Sequence, residues 1–164
     1  MKFAARKTDF HTHPLPPILG PGPCSTNVFI GKLAAWRGIP AAQAAALQAL
    51  KKAQEIRIKA AEAATMAAMG TPGAPAAKAA EQALKAAEGA AMAGTMMSMA
   101  MGADIHNCST PLVSPPHGPG IVITGSKSVF INGLPACRAD DTILDALGPM
   151  DTIKMGCPNV IIGD

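Results

Sequence analysis

The sequence predicts a mainly β protein in which several equivalent short strands pack around one axis, interrupted by an antiparallel α-helical hairpin. Two observations carry this. First, one short phrase occurs three times. Residues 25–37 read Ser-Thr-Asn-Val-Phe-Ile-Gly-Lys-Leu-Ala-Ala-Trp-Arg, residues 126–138 read Ser-Lys-Ser-Val-Phe-Ile-Asn-Gly-Leu-Pro-Ala-Cys-Arg, and residues 156–163 read Gly-Cys-Pro-Asn-Val-Ile-Ile-Gly. Each is a β-branched and aromatic run bounded by glycine, the pattern of a strand entering a tight turn. A lone hairpin cannot bury its apolar face, so repetition implies association of the copies. Second, composition changes abruptly at two places. Residues 1–40 and 102–164 are rich in Pro, Gly and β-branched residues, whereas residues 41–101 are dominated by Ala, Met, Lys, Glu and Gln.

The first segment, residues 1–40, holds one strand phrase. In the second, residues 41–69 are strong helix formers with almost no β-branching. Pro40 stands near the first turn, where its missing N–H does no harm. Gly70-Thr71-Pro72-Gly73-Ala74-Pro75 is a breaker cluster, and a second helix follows over about 76–101, stopping at Gly102. Each helix is roughly 40 Å long at 1.5 Å per residue. The short connection favours antiparallel packing, and alanine permits close approach. The third segment, residues 102–164, carries the other two strand phrases. The flanking segments together read as one β unit with an insertion.

Bulk properties narrow the function. The net charge of +3 is modest, and no basic stretch is interleaved with aromatic residues, which argues against nucleic-acid binding. Tyrosine is absent and alanine supplies much of the apolar content, so the core is expected to be small and to sit where Val, Ile, Leu and Phe cluster. Cys24, Cys108, Cys137 and Cys157 form no CxxC pair, and the opening residues contain no apolar leader. Reduced thiols and cytoplasmic synthesis are expected. The uncharged run between Glu88 and Asp104 is shorter than the ~18–20 residues a membrane span needs. Lys51, Lys52, Glu55, Arg57, Lys59 and Glu62 would each be costly in lipid. The methionines of the second helix read either as the seam of the hairpin or as a flexible surface for a partner.

All four histidines lie in the β segments: His11 and His13 after Asp9, His106 and Cys108 after Asp104, and His117 in a Pro-Pro-His-Gly turn. Imidazole and thiolate suit Zn²⁺. The X-His-X-Cys spacing puts both side chains on one face of an extended segment, and His11 and His13 share that spacing. A surface histidine and a buried thiol are the ordinary explanation for any one of these residues alone. The matched grouping favours a metal that staples a small domain. No HExxH is present, and Asp9 and Asp104, at equal offsets before the histidines, suit orientation or turn capping better than catalysis. An enzyme is not expected. Cys24 and Cys157 read as matching packing residues, and Cys137 falls where the first copy has Trp36.

These residues resemble a family. Pro135-Ala136-Cys137-Arg138 is similar to the Pro-Ala-Ala-Arg signature of PAAR-repeat proteins, and Ala34-Ala35-Trp36-Arg37 is a degenerate copy. Ala4-Ala5-Arg6-Lys7-Thr8-Asp9-Phe10-His11-Thr12-His13 resembles the AARxxDxxxH pattern called prePAAR. The resemblance covers residues 1–40 and 102–164. It implies a small pseudo-threefold cone of short β-strands whose base caps the trimeric VgrG-type spike of a type VI secretion system, one copy per spike. It implies one zinc at the apex held by His13, His106, Cys108 and His117, with His11 as the competitor of His13. It implies synthesis in the bacterial cytoplasm and export through the injection apparatus without a signal peptide. An Eag-type chaperone on the hairpin and transient membrane contact are implied too. The alternative within the family is the delivery or chaperone-binding module of a larger toxic effector. The sequence departs from the family at Ala139-Asp140, where Gly-Asp is usual. It departs again at Asp145-Ala146-Leu147-Gly148-Pro149, where many relatives have a cysteine.

Overall fold

A computed structural model describes residues 1–12, 17–108 and 116–164. In chain order the elements are β1 (Lys2–Ala4), β2 (Pro21–Gly22), β3 (Phe29–Ile30), β4 (Leu33–Ala34), α1 (Ala41–Ala68), α2 (Ala74–Met99), β5 (Ile105–Cys108), β6 (Gly118–Val122), β7 (Phe130–Ile131), β8 (Leu134–Pro135), β9 (Thr142–Asp145), β10 (Asp151–Thr152) and β11 (Cys157–Ile162). Among the described residues, all strand pairing is antiparallel. A helical hairpin set among small sheets is the expected fold class. "Mainly β" understates the helices, which run 28 and 26 residues against a longest strand of 6.

The three phrases build three equivalent hairpins. Gly31-Lys32 and Asn132-Gly133 have positive φ at both turn positions, the geometry that matches the twist of tight two-residue hairpins, and they connect β3 to β4 and β7 to β8. The third hairpin equivalent joins distant segments: β11 pairs with β1, with Phe3 opposite Ile161 as Ala34 is opposite Phe29 and Pro135 opposite Phe130.

Immediately after each hairpin the three copies close on one another. Ala5 N–H donates to Cys137 C=O (2.8 Å), Cys137 N–H to Trp36 C=O (3.0 Å), and Trp36 N–H to Ala5 C=O (3.0 Å). This cycle defines a pseudo-threefold axis. A second layer repeats it: Lys7 to Ala34, Gly38 to Pro135 and Ala139 to Phe3, all at 2.8–2.9 Å. Trp36 and Cys137 thus occupy equivalent positions, as their places in the phrase indicate. Cys24 and Cys157 do not. Cys157 aligns with Ser25 and Ser126, because Val28, Val129 and Val160 set the register, and the Ser25 and Ser126 hydroxyls accept from the N–H groups of Val28 and Val129.

Each ring position is followed by an arginine gripped by an aspartate. Asp9 accepts from Arg6 N, Nε and Nη2 (2.8, 3.1, 2.8 Å), and Asp141 accepts likewise from Arg138 (2.7, 3.3, 3.0 Å). In both, two residues separate the partners, and the second, Thr8 or Asp140, has φ of +70° or +64°. The middle copy makes the same clamp between Arg37 and Asp104 (2.7, 3.1, 2.8 Å), although they lie 67 positions apart. The helical hairpin is inserted within that clamp. Ile39 still donates to Val122, as Thr8 does to Leu19 and Asp140 to Ile153. Pro40, extended at φ −60° and ψ 152°, then leads into α1, and the chain returns through Gly102.

The helices pack antiparallel and are pinned by Arg57–Glu88 and Lys85–Glu62 ion pairs. Their inner ends seat on the β unit. Leu47, Met92, Met96 and Ala100 share a core with Ile121, Ile123, Leu134 and Leu144. A second core surrounds Trp36 and Cys137, and a third lies beneath the hairpins at Ile30, Ile131 and Ile162. The phenylalanines are not core residues: Phe3, Phe10, Phe29 and Phe130 are all exposed. Among the described residues, no helix is long and apolar enough to cross a membrane.

Candidate metal centre

In the sequence after each clamp, candidate donors recur at fixed offsets. Two and four residues beyond Asp9, Asp104 and Asp141 stand, respectively, His11 and His13, His106 and Cys108, and Ile143 and Asp145. Alternation in β5 buries His106 and Cys108 on one face while Asn107 is exposed, as the spacing predicts. His106 pairs with Gly120 of β6, and Gly120 pairs with Asp145 of β9. A Cβ at Gly120 would collide with the Asp145 carboxylate and approach Ile143 Cγ2, so glycine is what admits a fully buried aspartate beside His106.

His11 comes in from the other side, bridged to Ile153. Its Nδ1 lies 2.5 Å from Asp151 Oδ2, and its ring centroid is 4.2 Å from that of His106 at an interplanar angle of 65°. A carboxylate on Nδ1 fixes the ring and leaves Nε2 to face elsewhere. His117 approaches Asp145 through Nδ1 at 3.7 Å from Oδ2. Its ring lies flat on Gly148, where a Cβ would fall 2.6 Å from Nε2. Cys108 is paired with Gly118, the neighbour of His117.

The structure therefore gathers His11, His106, Cys108 and His117 in one buried region together with Asp145 and Asp151. His13 lies outside the described residues. Among the described residues no three His, Cys, Asp or Glu side chains form a metal cage. The donor chemistry nevertheless fits zinc: imidazoles and a thiol beside carboxylates, all out of water. Burial, reinforced by the charge of Asp151 and opposed by Lys51, pushes the Asp145 carboxyl up to about 8. Cys137 lies in the central core, where burial raises its thiol well above the ordinary range.

Asp145 and Asp151 are the residues that sequence reasoning missed. The signal for Asp145 was present in the Arg-x-x-Asp spacing of Arg138 and Asp141, since four residues beyond that aspartate is the position of Cys108 and His13. Asp151 has no comparable marker. Asp9 and Asp104 cap their arginines and the arginines' own N–H groups, which is the turn-capping role.

Comparison with family models, curated proteins and solved structures returns no match to this chain.

Proposed function

We propose that this chain is a zinc-stabilised PAAR tip that caps a trimeric VgrG-type spike of a type VI secretion system and aids membrane puncture and effector delivery. The observation that carries the reading is the threefold ring with an apolar residue at the same place in each hairpin. Phe29, Phe130 and Ile161 are 60, 56 and 57 % exposed. Exposed apolar side chains repeated by a threefold operation suit a partner that is itself threefold. No covalent chemistry is involved. His13, His106, Cys108 and His117 hold the zinc, with His11 the alternative to His13, and the bound ion supplies folding free energy that the small cores do not. The protein is made in the bacterial cytoplasm and leaves with the injection apparatus.

The test is native mass spectrometry with a purified spike trimer. One copy carrying one zinc per trimer is expected, and Phe130→Asp should weaken capping at least about tenfold without moving the thermal midpoint. Absence of a complex, or capping indifferent to Phe130→Asp, refutes the proposal.

A second reading, a delivery module of a larger effector with an Eag-type chaperone on the hairpin, draws on the exposed Ile56, Met66 and Met69 in the outer half of the helices. Chaperone capture that depends on residues 41–101 would favour it.

A further inference from the structure

Two polar side chains of α1 are buried where the hairpin meets the β unit. Lys51 is 2 % and Gln54 1 % exposed, and they lie three residues apart on one helix face. Lys51 Nζ donates to the Asp145 carbonyl (3.0 Å), and Gln54 Nε2 donates to the Ala146 carbonyl (3.0 Å). Gln54 also reaches the Glu88 carbonyl of α2 (3.0 Å), which locks the grip to both helices. The next residue, Leu147, occupies the space over Gly89, where a Cβ would stand 2.5 Å from Leu147 Cδ1. The hairpin thus holds three consecutive residues of the β unit.

The other side of those residues is a wall of the histidine region. Asp145 faces His117 Nδ1, Ala146 N–H donates to Pro119 C=O (2.9 Å), and Leu147 N–H donates to His117 C=O (2.8 Å). Gly148 supports the His117 ring. Residues 145–148 are therefore a wedge between the hairpin and His117.

We infer that Lys51 and Gln54 are positioning residues for the metal centre: by fixing residues 145–148 they set the place of His117, so hairpin docking and ion retention are coupled. The inference rests on the zinc reading above. Burying a lysine and an amide is an expensive way to glue a helix to a sheet, where apolar residues would serve. Hydrogen bonds to adjacent carbonyls fix a segment's position in a way that apolar contact does not. Coupling is reciprocal: the ion tightens the seating of the hairpin, and any partner that draws the hairpin away loosens the ion.

The test measures zinc release to a chromogenic chelator, and the visible absorption of the cobalt-substituted protein, for Lys51→Met and Gln54→Leu made singly. Both variants should release zinc at least about fivefold faster than wild type and alter the cobalt bands. Ile162→Ala, in the separate core beneath the hairpins, serves as a control that lowers stability without touching the wedge, and it should release zinc at the wild-type rate. Should one variant fail to fold, the other decides. Hydrogen exchange adds a reading on the unmutated chain: amides near Lys51 and Gln54 should exchange more slowly with zinc than after its removal. Wild-type release rates in the two variants, equal acceleration in Ile162→Ala, or zinc-independent exchange each overturn the inference while leaving the zinc reading standing. A wild-type protein that takes up no zinc overturns both.

Discussion

Replacing Asp104 with alanine should be among the most damaging single changes in the molecule. Asp104 is fully buried and accepts four hydrogen bonds: from the backbone N–H groups of Arg37 (2.7 Å) and Cys24 (2.5 Å), and from Arg37 Nε and Nη2 (3.1 and 2.8 Å). Alanine leaves the guanidinium of Arg37, itself 7 % exposed, and two N–H groups without their acceptor. Removing one partner of a buried pair costs about 3–5 kcal/mol, and here the loss also unties the point where the chain returns from the hairpin. Against a typical total of ~5–15 kcal/mol this is a large fraction. The assay is equilibrium urea unfolding at neutral pH with zinc present. With an m-value of ~2 kcal/mol per molar, 4 kcal/mol moves the midpoint by about 2 M. Asp9→Ala is the internal comparison, because the Arg6 side chain is 15 % exposed, so solvent can partly replace the lost acceptor. It should shift the midpoint by about half as much. An Asp104→Ala midpoint within about 0.3 M of wild type, or a smaller shift than Asp9→Ala, would refute the reasoning.

Further outcomes follow from other buried or charged groups. Chelation of zinc, or His117→Ala, should lower the thermal midpoint and spike binding together; unchanged melting at verified zero zinc content would count against the metal. Burial holds the Lys51 ammonium below its ordinary value of 10.5. The folded state therefore resists charging it, and stability gained through this group should rise as pH climbs from the lowered value to 10.5. Lys51→Met should abolish that increment, read as the pH dependence of the difference in thermal midpoint between the two proteins. Lys85 and Lys78 hold the Glu81 carboxyl down at about 2, from 4.5. Its contribution is complete above pH 4.5 and disappears as pH falls from 4.5 to 2. Glu81→Gln should remove that acid-sensitive component, monitored by hydrogen exchange in the outer half of the hairpin.

Much of the architecture was legible because local rules and tertiary structure agree. Val-Phe-Ile-Gly-Lys and Val-Phe-Ile-Asn-Gly carry both the strand pattern and the left-handed turn pair. The alanine blocks and the Gly70–Pro75 breakers place both helices within a few residues of their observed ends. Less legible was anything that depends on distant segments meeting. The pairing of β11 with β1 and the Ala5–Trp36–Cys137 cycle are long-range backbone bonds with no local signature. The Arg37–Asp104 clamp was concealed by the helices inside it. Pattern also misled. The aromatic phrases suggested core, yet their phenylalanines point outward while Ile30 and Ile131 point in. The methionines of α2 are neither simply the hairpin's seam nor simply a free surface: Met92 and Met96 are buried against the β unit, and Met97 is exposed. Lys51 enters the sequence reading only as a charge that lipid would not accept, and its burial becomes intelligible through the tertiary contact with the Asp145 carbonyl. Of the candidate ligands, the pairing of His106 with Cys108 came from strand periodicity. The approach of His117 depends on the register of β6, which no local rule supplies.

The site of insertion has a consequence for engineering. The ring and its salt links tolerate 64 residues, 40–103, between one arginine and its aspartate without loss of the clamp. The corresponding two-residue gaps, Lys7-Thr8 and Ala139-Asp140, are built on the same scaffold and end at equally anchored aspartates. They are equivalent ports, so a foreign helical pair or a small binding module spliced at either one would emerge from this protein about a third of a revolution away from the natural arm.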